Sequence, residues 1–478
     1  MDLLTESREI LRNEALLLLI QLTTSNPNVQ KIVVFENAFD RLLDIVRDEG
    51  NSEGGIVVQD CLHLIHNLLR KNISNQNYFR ETGNLVRLNP FLALQGAPPG
   101  LAIPGMENEA PKAENDWEEQ KITNMLMMIE LVRILVTPNN PNAPTNQKAM
   151  LKQNTTETLY TLTLMEGKLP PRVQVQVRCA VGEAMRGCAP AQQLFSGTTA
   201  KCGARPRPAL VTLVVELLAF RNPFDYRCAS LYCLESFLFN NSDGQMFLTG
   251  TLKQPPNANL SQATDTPLAA GAQILSALAD TTDGISHWCA CLALSSTIRG
   301  NSQAKQMALN TRVKLGGGTE PSTQANTIPL LELCLRAFHC NGMQKTRVSV
   351  SEYIFLCSFL SESPTNIAAY LSNQENLTNL IAHCQEVPRA GSANGTSVLI
   401  PGLASLLLGI CLQWTDAGAE NSASSRLSLL QVIHHVIGVD KYSENIKMLI
   451  QSDFFEGAQS SHQYGDVTVG VWVFRVIA

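Results

Sequence analysis

From Glu9 onward, apolar residues recur at intervals of three and four rather than two, which marks helices and not strands. "EILRNEALLLLIQL" (9–22) reads as a helix too apolar for a surface position. "NAFDRLLDIV" is amphipathic, with Phe39, Leu42, Leu43 and Val46 on one stripe. "QKITNMLMMIELVRILV", "PALVTLVVELLAF", "RCASLYCLESFLF", "HWCACLALSSTI" and "RVSVSEYIFLCSFL" predict further helices with no polar face. Only the final "DVTVGVWVFRVIA" has a strand-like pattern. The expected fold class is all-α.

The order of elements recurs. Ala15–Leu22 match Cys61–Leu68, 46 positions later (61 − 15). A polar break follows each, "TTSNPN" or "RKNISN", and then a second helix for which Asn28 and Asn75 are the expected N-caps. Gly83 is expected to end that helix in the left-handed region. Looser copies centre on "NMLMMIELV", "RCAVGEAM", "RCASLYCLE", "WCACLALSS", "RVSVSEYIF" and "GLASLLLGI". Units of two or three helices that bury a face only against the next unit make an α-solenoid of armadillo/HEAT-like helical repeats. The expected organisation is one head domain over residues 1–455, of roughly eight irregular repeats, followed by a distinct tail, 456–478. Segments near 93–119, 137–147, 252–266, 311–326 and 387–396 are rich in Pro, Gly, Asn and Ser and are expected to be exposed loops.

Composition adds exclusions. The length of 478 residues would suggest roughly three ordinary domains, a prior that a repeat architecture overrides. A net charge of −6 gives no basic field, which argues against nucleic acid as a partner. The 13 cysteines are scattered through apolar runs and read as reduced, small hydrophobes of a cytosolic protein. "MDLLTESREI" lacks the basic and apolar regions of a signal peptide, so the Asn-x-Ser/Thr sequons, such as those at Asn72 and Asn376, are chance matches. Residues 391–415 carry no charge, but Pro401 and Gly402 interrupt them and no basic cluster flanks them. The segment reads as a helix buried among its neighbours rather than a membrane span.

Candidate chemistry is sparse. Cys61, His63 and His66 crowd into six residues, yet Cys61 and His63 point to nearly opposite sides of a helix. His63 and His66 alone do not make a zinc site, and the two are read as capping, hydrogen-bonding or lining a face. Cys228/Cys233, Cys289/Cys291 and Cys334/Cys340 lack paired zinc-knuckle spacing, and Cys289 and Cys291 beside Trp288 read as inert packing. "KLGGGTEPST" has no Gly-Lys-Ser/Thr ending to hold a phosphate. The adjacent pairs His339–Cys340 and His434–His435 diverge on a helix. No catalytic residue, cofactor or metal is therefore assigned. What remains is an extended binding surface. In peptide-binding armadillo proteins an Asn on the last helix of each repeat clamps an extended backbone. Asn67, with Arg70 and Lys71 close by, holds a comparable place, and Gln21 is its counterpart one repeat earlier. Arg186, Phe237 and Ser296 break any regular ladder. Asn67, Arg70, Lys71, Asn75 and Arg80 are the candidate partner-binding residues, beside the plainer reading that Asn67 satisfies a buried turn.

"KIVVFENAFDRLLDIV" followed by "EGNSEGGIVVQDCLHLIHNLLRKNISNQNYFRETG" resembles the head domain of the general vesicular transport factor family, the Uso-type tethers of ER-to-Golgi traffic. The likeness continues through "QKITNMLMMIELVRILVTPNNP", "NPFDYRCASLYCLESFLFNN", "HWCACLALSSTI" and "KTRVSVSEYIFLCSFLSESP", covering roughly Met1 to Phe455. Phe35 to Phe79 is similar to the second of two homology regions that mark the family's heads. The resemblance implies a non-catalytic vesicle-tethering head, cytoplasmic and peripherally bound to Golgi and transport membranes. It implies protein partners: an early-secretory Rab GTPase, SNAREs, golgins and the conserved oligomeric Golgi complex, with a homodimer in full-length members. Relative to the family pattern, this chain starts inside a repeat, which is expected to leave an apolar end exposed. It carries no sustained heptad pattern, and it departs from the family after Phe455. The alternative is an armadillo-type peptide-binding adaptor of the nuclear-transport or catenin-like kind.

Overall fold

In the computed structural model, the described residues are 2–6, 8–93, 117–165, 169–202, 205–252, 270–280, 282–314, 327–336, 338, 345–387, 396–415, 425–453 and 455. They form 24 α-helices and two short hairpins, so the all-α expectation holds, as does the helical-repeat class. Apart from Glu9–Thr23, the most apolar helices of the sequence are the ones surrounded by others. In Gly284–Ile298, twelve of fifteen residues are buried, which no single stripe could produce. Ala38–Asp48 shows the opposite pattern: Phe39, Leu42, Leu43 and Val46 are buried and its charges face out.

Two compact units divide the chain. The first comprises Met1–Thr212 with Cys228–Phe237, and the second Leu213–Arg227 with Leu238–Ala478. In the first, the helices Glu9–Thr23, Ile56–Leu69, Glu119–Val136 and Pro171–Met185 pack in chain order, each on the next. In the second, Gly284–Ile298, Lys345–Leu360 and Leu399–Trp414 do the same. Leu399–Trp414 also packs on Gln374–Gln385 and Val439–Ile450. Its Pro401 sits in the first turn, where the missing N–H costs nothing. A Cβ on Gly402 would lie 2.7 Å from the Leu449 Cβ, so glycine allows the close approach. Among the described residues, no helix is long and apolar enough to cross a membrane.

Three expectations are corrected. The Glu9–Thr23 helix is not buried all round: Leu16 and Ile20 are covered, while Ile10 is 78% and Leu18 57% exposed. The segment 137–147 is not simply an exposed loop, because Ala143–Lys152 is a helix whose Asn146 and Gln147 are buried. Its proline and asparagines suggested a loop, but proline in a first turn starts helices, and the amides have carbonyl partners inside. The third concerns strands. Thr199–Cys202 pairs antiparallel with Arg205–Pro208, and Arg312–Lys314 with Thr327–Pro329. Each ribbon is closed by the same bond, Ala209 N–H to Thr198 O and Leu330 N–H to Thr311 O, both 2.9 Å. The bulk of the other expected loops (94–116, 253–269, 315–326, 388–395) and the tail 456–478 lie outside the described residues.

One ion pair is embedded between helices of the first unit. The Arg133 guanidinium donates to both oxygens of Glu183 at 2.8 and 3.0 Å, and to Gln176 Oε1 at 2.7 Å. Glu183 is 1% exposed. Truncating the arginine takes a two-pronged partner from a buried carboxylate, which costs far more than losing a surface pair would. Arg133→Ala is therefore expected to destabilise the first unit by about 3–5 kcal/mol. Urea unfolding monitored by circular dichroism checks this, and a loss below about 1 kcal/mol, typical of exposed pairs, would contradict it.

Candidate functional site

The polar breaks between helices share one geometry. At six of the described breaks a long helix is followed by a left-handed residue and then the N-cap of a short helix. The left-handed positions are Ser25, Lys71, Gly187, Asn240, Gly300 and Glu362, with φ between 52° and 70°. The N–H of each following residue (Asn26, Asn72, Cys188, Asn241, Asn301, Ser363) returns to the carbonyl three residues back, at 3.0–3.3 Å. Four of those residues also cap with their side chains: Asn26 accepts from Val29 N–H, Asn72 from Asn75, Asn241 from Gly244 and Asn301 from Ala304. The caps are thus Asn26 and Asn72, not Asn28 and Asn75. Gly83 is left-handed at φ 77°, as expected.

A second amide completes each corner. Gln30 Nε2 donates to Thr23 O and Gln76 Nε2 to Leu69 O, both at 2.9 Å. Farther along, the donor reaches the end of the next buried helix. Gln147 donates to Glu183 O and Arg186 O, Gln192 to Ser236 O, and Gln245 to Ser296 O and Arg299 O. Lys305 Nζ does the same to Ser361 O.

The sequence-predicted residues divide on this frame. Asn67, half-buried, donates to Ile20 O at 3.2 Å, the end of the preceding buried helix. Asn75 is buried and donates to Leu68 O at 2.8 Å. Arg80 holds Asn77 and Asn146 at 2.9 Å, and Glu81 at 3.1 Å. Arg70 and Lys71 are exposed at the corner itself. The five do not converge on a pocket: three brace the chain's own carbonyls and side chains, and two project outward.

His63 and His66 also part company. His63 is exposed, whereas His66 is buried and donates Nε2–H to Met127 O at 2.7 Å. Burial lowers the pKa of His66, against an opposing pull from Glu130. His434 and His435 are exposed, with ring centroids 6.3 Å apart. His339, Cys340 and most of the glycine-rich 314–323 segment lie outside the described residues. The eleven cysteines whose side chains are described are buried and free, and burial pushes the thiols of Cys61, Cys233 and Cys411 up to about 12. Such thiols are not nucleophiles at neutral pH. One constellation was not read from the sequence: His287, Cys291 and Glu352, all fully buried, bring their polar atoms within 4.8 Å of one another.

Comparison with known proteins bears on the whole chain. A family model described as the head region of Uso1/p115-like vesicle tethering proteins matches residues 174–469. A second, the armadillo tether-repeat of vesicular transport factor, matches 114–172. General vesicular transport factor p115 of Bos taurus is 36% identical over 465 residues, covering 97% of this chain and 44% of that protein. The chain thus spans under half the length of that relative. Intracellular protein transport protein USO1 of Saccharomyces cerevisiae is 30% identical over 263 residues, covering 51% of this chain and 14% of that one. The crystal structure of Uso1-1 has a TM-score of 0.73 at 22% identity, covering 100% of this chain and 72% of its own, a likeness of fold.

Two outcomes test the corner geometry. A Cβ at Gly300 would meet nothing within 4 Å, so Gly300→Ala isolates the left-handed requirement and is expected to cost about 1–2 kcal/mol in urea unfolding. For His66, the folded imidazole resists a proton that the unfolded one accepts. Its contribution to stability is full above about pH 6.5 and is lost as the pH falls below that value. The melting temperature of His66→Gln should accordingly fall less between pH 7 and 5.5 than that of the parent, in scans at both pH values.

Proposed function

Because the chain belongs to the Uso1/p115-like vesicle tethering family through its head region, we propose that it is the non-catalytic head of a tether acting between the ER and the Golgi. The observation that carries this reading is the family match over residues 174–469, joined to the armadillo tether-repeat at 114–172. The chemistry of the described side chains agrees with docking rather than turnover. The described thiols are buried, and the amides of the corners are engaged with the chain's own carbonyls.

In this reading the exposed corners meet partners. Arg70 and Lys71 project from a rigid turn, held by the Asn72 cap and the Gln76 clamp, and they suit an acidic protein surface. In this reading the partners are an early-secretory Rab GTPase, SNAREs, golgins and the conserved oligomeric Golgi complex, with association into a homodimer and peripheral attachment to Golgi and transport membranes. Linking two membranes through several weak contacts raises their effective concentration without any chemical step. The adaptor alternative needs asparagines free to clamp a foreign backbone, and Asn67 is bonded to Ile20 O instead.

A tethering assay tests the proposal. Beads carrying the chain are expected to hold ER-derived transport vesicles in cytosol. Arg70→Glu with Lys71→Glu should reduce capture severalfold, by about 1 kcal/mol or more of lost contact, with unchanged thermal melting. Absence of capture together with tight binding of a basic nuclear-localisation peptide would overturn the proposal in favour of the adaptor.

A further inference from the structure

His287 and Cys291 stand four residues apart on the Gly284–Ile298 helix and therefore share one face. Glu352 reaches the same point from Lys345–Leu360, which packs on that helix. His287 Nε2 lies 2.8 Å from Glu352 Oε1 and 3.5 Å from Cys291 Sγ, and the Sγ lies 3.7 Å from the same oxygen. A tetrahedral zinc ion with ordinary bond lengths sets its ligand atoms about 3.3–3.6 Å apart. Two of the three edges already fit, and the third has to open by about half an ångström.

We propose that His287, Cys291 and Glu352 bind one divalent transition-metal ion, zinc by donor type, which pins these two helices together inside the second unit. The mixed set of sulfur, nitrogen and oxygen excludes magnesium and calcium, which take oxygen ligands. Charge favours it too: one thiolate and one carboxylate cancel a 2+ ion, so the loaded site is neutral where no solvent reaches. The metal-free arrangement leaves Glu352 Oε2 buried without a hydrogen-bond partner, and an ion gives that carboxylate a charge partner.

Burial, and then the Glu352 charge, hold the Cys291 thiol well above its ordinary pKa, so the metal-free thiol is protonated. On binding, the Sγ–H proton leaves to solvent together with any proton that burial keeps on the Glu352 carboxyl, the ring proton moves from Nε2 to Nδ1, and Nε2, Sγ and a carboxylate oxygen each give an electron pair to the ion. At least one proton is released per ion bound.

The test uses the full chain, purified without a metal-affinity tag or chelator. Elemental analysis is expected to find about one zinc per chain, and zinc-free protein should regain it with a higher melting temperature. Cobalt(II) in its place should give a near-ultraviolet thiolate-to-cobalt absorption. Cys291→Ser, nearly isosteric, should abolish that absorption and weaken zinc binding at least about a hundredfold, while Cys289→Ser keeps both. Should Cys291→Ser not fold, His287→Gln with Glu352→Gln, which restores a neutral hydrogen bond, is expected to fold without metal. Less than about 0.1 metal per chain, with no thermal shift on adding zinc, overturns the proposal, as does cobalt absorption that survives loss of Cys291.

Discussion

A helix ends in up to four carbonyls that no amide of its own can reach, and a helix surrounded by others cannot hand them to water. Every repeat meets that constraint where its long helix stops. The left-handed corner answers part of it by returning the next backbone amide to the helix end. Side-chain amides answer the rest, from Gln30 and Gln76 within a repeat and from Gln147, Gln192 and Gln245 across to the next. An unmet buried carbonyl costs about 1–3 kcal/mol, so these residues hold neighbouring repeats in register as firmly as the leucines do. They also decide which surface remains for partners. A side chain bonded to its own chain cannot grip another, and the corners leave Arg70 and Lys71 outward instead.

Much of this was legible in residue order. The long helices announced themselves by apolar runs, and Ala15–Leu22 against Cys61–Leu68 revealed the unit of repetition. The caps were displaced by two or three residues because "SNPNVQ" and "KNISNQ" each offer more than one asparagine. What separates them is the left-handed residue just before Asn26 and Asn72, which Ser25 and Lys71 supply without a glycine to signal it. The ribbons escaped for a similar reason. Four- and three-residue strands ending in Pro208 and Pro329 look like loops in any composition window.

Inside the core, the informative residues were the charged ones set among aliphatics: Arg133, Glu183 and Glu352. Each has its partner on a neighbouring helix packed against its own. Sequence spacing could place His287 and Cys291 on one face, but the carboxylate beside them comes from 61 residues beyond the cysteine. That juxtaposition exists only once the helices stack. Polar pairs of this sort tolerate fewer alternative packings than leucine does, which is how a row of similar helices avoids slipping by a turn.

The same shielding that keeps the described cysteines inert makes them hazardous once it fails. Cys61 sits near 12 only while the helices around it stay closed, and a solvent-exposed thiol titrates near 8.5. A single repeat that opens therefore liberates a competent nucleophile. Cross-linking between misfolded copies, rather than loss of any one contact, then becomes the step from which the chain does not return unaided.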